Sequence, residues 1–154
     1  MQLEAQHQAA LFEWAAVMAK QYPELELLYH VANGGSRNKI EAANLKKQGV
    51  KSGVPDICLP VARGIFHGLY IELKVGKNTA TDNQQRWMIK LIEQDYCARV
   101  CYGWDEARDL IMRYITIGKT AHCADCSNWK THLCEKNGGK WTDKNDFCER
   151  WEKR

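Results

Sequence analysis

At 154 residues, with 45% apolar and 27% charged side chains, the chain is sized for one ordinary domain plus a small appendage. No apolar run approaches the ~20 residues that cross a bilayer, and the first residues, with Glu4 early and Gln2, Gln6 and Gln8 interspersed, lack the basic and apolar regions of a signal peptide. A formal charge of +3 is too small to argue for nucleic acid by itself; the expectation is a cytoplasmic protein whose seven cysteines are reduced or metal-bound rather than paired.

In chain order, residues 3–21 read as an amphipathic helix with Leu11, Trp14 and Met18 at helical spacing, and Pro23 closes it. Glu4 lies on the stripe of Leu11, with Gln8 one turn on, whereas Glu13 falls on the opposite face at ~100° per residue. Residues 25–31 read as a strand carrying His30, and Asn33-Gly34-Gly35 is a turn signal. Asn38 is a candidate cap for a helix to Gln48, which Gly49 ends. Two strands follow, one with Ile57 and Leu59 alternating with Cys58 and Pro60, the other with Ile71, Leu73 and Val75 alternating with Glu72 and Lys74. Residues 61–68, with Gly64 and Gly68, fold them into a hairpin. Thr81-Asp82-Asn83-Gln84 is a capping box opening a helix to about Asp95, whose apolar face is Met88, Ile89, Leu91 and Ile92. Residues 98–102 are a further strand, Gly103 is a break, and Asp105 is a candidate cap for a helix ending near Ile115. Alternating helices and strands predict an α/β fold, a mixed sheet flanked by helices.

The chemistry gathers on the hairpin. Residues two apart in a strand share a face, so Glu72 and Lys74 emerge together, and the hairpin brings Asp56 near Glu72. Two carboxylates and an ammonium are costly to bury unless something neutralises them. A divalent cation does so, and hard oxygen donors favour Mg²⁺ or Mn²⁺. Each piece alone has a plainer meaning: Pro55-Asp56 is a common turn pair, and Glu72 with Lys74 makes a surface ion pair of little energetic consequence. Arg37, Lys39, Lys46, Lys47 and Lys51 against the single Glu41 form a basic cluster suited to phosphates, with Lys77 as a further candidate. No phosphate-binding glycine loop, nucleophile elbow or His-Glu-x-x-His motif is present.

The helix-start run Glu4-Ala5-Gln6-His7-Gln8-Ala9-Ala10-Leu11, the segment Asn33-Gly34-Gly35-Ser36-Arg37, the stretch from Gly49 to Asp56, Glu72-Leu73-Lys74, Thr81-Asp82-Asn83-Gln84 and Trp87 occur in an order and spacing that resembles the VRR-NUC branch of the PD-(D/E)xK nuclease superfamily, over roughly residues 1–115. The resemblance implies a restriction-endonuclease-like mixed sheet. It also implies a site in which Asp56, Glu72, the Leu73 backbone carbonyl and Glu4 hold Mg²⁺ or Mn²⁺. Lys74 then orients the attacking water or stabilises the transition state, and Gln84, with Gln85 as its alternative, lies beside the site. His30 and Asn33 fall near the substrate, and the Arg37 guanidinium suits phosphate in bidentate fashion. The implied activity is endonucleolytic cutting of DNA, branched DNA such as junctions and flaps in the stand-alone phage and bacterial members, by a homodimer. The rivals are a non-catalytic DNA-binding or packaging accessory and a structural zinc protein with an incidental acidic pair.

The composition changes after Gly118, which divides the chain into a nuclease-like domain at 1–117 and a cysteine-rich tail at 118–154. Cys123, Cys126, Cys134 and Cys148 stand in a segment poor in aliphatics but holding Trp129, Trp141, Phe147 and Trp151. Four thiolates are a common way to order such a segment around Zn²⁺, with His122 or His132 able to replace one of them. The closing Cys-x-x-Cys of many zinc ribbons is missing. Cys58, Cys97 and Cys101 read as core residues in or beside strands.

Overall fold

The computed structural model describes residues 2–32 and 39–117. Asn33, Arg37, Asn38 and the four tail cysteines lie outside the described residues, and with them the division at 117 and 118. The elements are α1 (Gln2–Met18), β1 (Tyr29–His30), α2 (Lys39–Lys47), β2 (Ile57–Leu59), β3 (Leu69–Lys74), α3 (Asp82–Ile92), β4 (Cys97–Tyr102) and α4 (Trp104–Thr116). The strands form one sheet in the order β1-β2-β3-β4. β1 and β2 pair antiparallel, as do β2 and β3, while β3 and β4 run parallel. A parallel pair needs a long crossover, and α3 supplies it. The mixed sheet flanked by helices is the expected architecture.

Three local expectations are corrected. Residues 25–31 are not one strand. Pro23, with its fixed φ and missing N–H, opens a 3₁₀ turn, Pro23–Leu27, which buries Leu25; Leu28 is buried just after it, and only Tyr29 and His30 pair with the sheet. Asp105 does not cap α4. The cap position is Gly103 at φ 90°, where a Cβ would stand 2.7 Å from Asp105 Oδ1, so Asp105 sits inside the first turn. Finally, α3 has no fully buried residue, and Ile89, assigned to its apolar face, is 56% exposed.

The register sorts the sheet into two faces. Ile57, Leu59, Leu69, Ile71 and Leu73 occupy one face and are essentially inaccessible to solvent. With Leu11 and Ala15 of α1 and Ala107, Ile111 and Tyr114 of α4, they make the core. The other face carries Cys58, Tyr70, Glu72 and Lys74. These residues are buried too, Tyr70 partly, so the alternation seen in the sequence does not divide core from solvent. A strand covered on both sides buries both sets of side chains. The loop between β2 and β3 is anchored by Arg63, whose Nε donates to Ile115 O at 3.0 Å and whose guanidinium also pairs with Glu24. The Tyr114 hydroxyl donates to Val61 O at 2.6 Å. Cys58, Cys97 and Cys101 are buried free thiols, as expected.

Candidate active site

In the β2–β3 hairpin Cys58 pairs with Tyr70 and Ile57 with Ile71. One further step in that register sets Asp56 opposite Glu72, on the face of Cys58 and Tyr70. Asp56 is held from two directions. Its Oδ2 accepts the Leu73 backbone N–H at 3.0 Å. Its carbonyl accepts the Val31 N–H at 2.8 Å and the His30 ring at 2.8 Å. A carbonyl can only accept, so His30 Nδ1 carries the proton in that bond. His30 therefore holds the Asp56 backbone; its strand partner is Ile57, on the opposite face from the carboxylates.

Glu72 is 0% exposed. Its Oε1 accepts Lys74 Nζ at 2.6 Å and the Gln84 side-chain amide, while Oε2 is buried with no hydrogen-bond partner. Burial, the largest cause, pushes its carboxyl up to about 7 against the pull of Lys74, and the charge of Asp56 adds to the rise. Facing carboxylates have no donor between them unless one keeps a proton. Burial alone lowers the Lys74 pKa, but the hydrogen bond and charge of Glu72, then the charges of Glu4 and Asp56, outweigh it and raise it. The site thus carries more acid than its single ammonium balances.

Gln84 makes contacts with both its helix cap and Glu72. Its Oε1 accepts the Thr81 N–H at 2.8 Å, closing the capping box, and its amide donates to Glu72. Gln85 turns away and donates to Ala80 O at 3.0 Å. Helix α3 is set against the approach to β2 by Gly53, which has φ 85° and where a Cβ would lie 2.8 Å from the Asn83 backbone carbon. No other residue fits both the conformation and the space.

Glu4 meets the site through Lys74, its Oε1 3.6 Å from Nζ. It does not complete the expected third carboxylate of a metal group: among the described residues no three His, Cys, Asp or Glu side chains form a group that could hold a metal ion. Glu13 is exposed, as expected for the opposite face. One turn after Glu4, His7 Nδ1 accepts the Trp104 N–H at 3.1 Å, while Gly103 N–H donates to the carbonyl of Lys74 at 2.8 Å. Gly103 has no side chain to cap α4, and His7 from α1 does so instead. A closed circuit of contacts thus links Glu4, Lys74 and the start of α4. Lys46, Lys47, Lys51 and Lys77 are exposed, Lys39 begins α2, and its side chain lies outside the described residues.

The residues not singled out from the sequence are His7, Gly53 as a contact of α3, and Arg63. His7 did carry a signal, being one turn from Glu4 on the same helix. Its partner is 97 residues away, and no local pattern encodes that.

The VRR-NUC domain family matches residues 3–105 of the chain. A solved structure described as a VRR_NUC domain protein is similar to it, with a TM-score of 0.64 and 33% sequence identity over 75% of this chain and 89% of that one. No curated protein matches.

Proposed function

The chain belongs to the VRR-NUC domain family, and from that premise we propose that it is a Mg²⁺- or Mn²⁺-dependent DNA endonuclease selective for branched DNA such as junctions and flaps. The domain is a nuclease domain, a hydrolase acting on DNA. The observation that carries the rest is the imbalance at Glu72: a fully buried carboxylate, one oxygen without a partner, facing a second carboxylate across the hairpin. Such a group is costly unless a cation answers it. Asp56, Glu72 and the Leu73 carbonyl are hard oxygen donors of the kind that suits Mg²⁺ or Mn²⁺. A divalent cation bound there supplies a Lewis acid for the phosphate and lowers the pKa of a bound water.

The chain's own groups do the positioning. The Leu73 N–H fixes one Asp56 oxygen, and Gln84 and Lys74 fix Glu72 Oε1, so neither carboxylate is free to rotate. Lys74, held by Glu72 and Glu4, stays an ammonium. It can therefore donate to a phosphoryl oxygen as charge grows there, or orient the attacking water. The exposed Lys46, Lys47, Lys51 and Lys77, with Arg37 and Lys39, are the candidates to contact the DNA backbone. A homodimer presents two such sites to the two strands of a branch. The buried free thiols suit a reducing cytoplasm, and no described helix is long and apolar enough to cross a membrane. Cys123, Cys126, Cys134 and Cys148 are proposed to hold one Zn²⁺.

Linear, flap, splayed and four-way DNAs incubated with Mg²⁺ or Mn²⁺ test the reading. Branched substrates should be cut, cutting should need the metal, and Asp56→Ala should abolish it with the fold intact. A protein that binds these DNAs but cuts none with either metal is an accessory instead. For the tail, zinc below about half an equivalent per chain in purified protein counts against the four-thiolate site.

A further inference from the structure

The face that carries Asp56 and Glu72 continues, one row along the hairpin, into aromatic side chains that the catalytic reading does not use. Tyr29 pairs with Cys58 and Cys58 with Tyr70, so these three lie side by side across β1, β2 and β3. Tyr70 meets the Tyr96 ring edge-on at 5.4 Å between centroids, and Tyr96 meets His67 at 5.8 Å. Gly68 leaves room for this, since a Cβ there would come within 3.3 Å of the Tyr96 ring. Tyr29 is 48% exposed, His67 is exposed, and Tyr70 and Tyr96 are partly so.

Two properties decide what such a row can receive. Its two sheet tyrosines, Tyr29 and Tyr70, are uncharged at neutral pH: contact with the Cys58 thiol pushes Tyr29 up to about 12, and burial first, then Cys58, raises Tyr70. The row therefore presents uncharged ring faces, which suit the flat face of a base. It also lies two residues, ~7 Å, along the strands from the Asp56–Glu72 row, so a nucleotide neighbouring the phosphate at those carboxylates comes within its reach. A base in a duplex has both faces stacked on its neighbours; only an unpaired one has a face to give.

We propose that Tyr29 and Tyr70, extended by Tyr96 and His67, form a stacking ledge for an unpaired base of the substrate strand beside the scissile phosphate. This rests on the nuclease reading of Asp56 and Glu72 and gives it a substrate class: DNA with unpaired nucleotides next to the cut. Base–aromatic stacking is strong enough for this and indifferent to sequence, so the ledge selects structure rather than base.

The test uses the full chain and splayed-arm DNA bearing 2-aminopurine at the first unpaired position, without divalent metal, because stacking quenches that fluorophore. Wild type and Tyr29→Phe should quench it. Tyr29→Ala, and Tyr29→Leu as a second variant that keeps apolar bulk, should lose the quench and bind splayed DNA about tenfold more weakly. Both should bind fully paired duplex within about twofold of wild type. Unchanged quenching in the folded Ala or Leu variant, or equal weakening on paired and splayed DNA, overturns the ledge. Failure of the two readings is distinguishable: a protein that quenches but never cuts with Mg²⁺ or Mn²⁺ keeps the ledge and loses the nuclease, whereas one that cuts equally with and without the Tyr29 ring keeps the nuclease and loses the ledge.

Discussion

Arg63 and Lys74 are the two buried cations among the described residues, each paired with a glutamate. Around Arg63 the hydrogen bonds close: Nε goes to Ile115 O, Nη1 to Ala62 O at 2.9 Å and Nη2 to Glu24. Around Lys74 they do not. Its partner Glu72 has one crowded oxygen and one with no partner, and Asp56 adds a second negative charge. A buried pair that satisfies its donors holds elements together; one that leaves a carboxylate oxygen unanswered is where we propose that a cation binds.

The difference can be broken from the structural side first. Arg63→Ala removes the cation that joins the β2–β3 loop to the end of α4, and should cost on the order of 3–5 kcal/mol in urea unfolding. Cutting per folded molecule should remain, because Arg63 belongs to the other pair. A loss below ~1 kcal/mol erases the contrast.

The site pair should respond to pH in the opposite sense from a stabilising carboxylate. Glu72 has a folded-state value of about 7 against an ordinary 4.5. A carboxyl raised by folding contributes stability that is fully present below ~4.5 and is lost as pH climbs through ~7. Without added divalent metal, the protein should therefore lose on the order of 3 kcal/mol between pH 5 and pH 8 from this group. Added Mg²⁺ or Mn²⁺ should flatten the slope, because a cation binding only the folded state adds stability where Glu72 is charged. Thermal unfolding across that range, with and without metal, reads both; stability that rises toward pH 8 without metal contradicts the account.

Gly53 comes next. Gly53→Ala forces a side chain into φ 85° and against the Asn83 backbone, and should cost about 1–3 kcal/mol. Because the displaced helix carries Gln84, cutting should fall by more than the loss of folded protein explains; activity normalised to folded fraction by circular dichroism measures it. The smallest effect is at His7. His7→Ala leaves the Trp104 N–H uncapped and should cost ~1 kcal/mol, with His7→Gln recovering part of it. Activity should follow the same order if the circuit through Gly103 and Lys74 keeps Glu4 in register.

Much of the hairpin was legible because its information is local. The Pro55-Asp56 step, the two-residue spacing of Glu72 and Lys74, and the loop length between them place the side chains together by strand geometry alone. The capping role of Gln84 was legible because a capping box is four consecutive residues; its contact with Glu72 is not written in that pattern, and only the resemblance placed it beside the site. What stayed hidden depends on distant partners. β3 is buried on both faces by residues distant in sequence, α1 and α4 on the side of Ile71 and Leu73, Gln84 and Glu4 at Glu72 and Lys74, so its alternating pattern suggests a half-exposed strand that is buried instead. Pro23 converts an apolar run into a turn plus two strand residues. The cap of α4 comes from α1, so Asp105, the nearby acid, was the natural but mistaken choice. Glu4 was found on the correct stripe, yet its partner is the ammonium of Lys74.

The central claim is that Asp56 and Glu72 together seat one divalent cation. Titration of the metal-free protein with Mn²⁺, followed by calorimetry at pH 8, tests it without relying on any substrate. The account predicts saturable binding at a site that both Asp56→Asn and Glu72→Gln abolish while circular dichroism stays unchanged. Binding of equal strength in either folded variant, or none in the wild type, contradicts it.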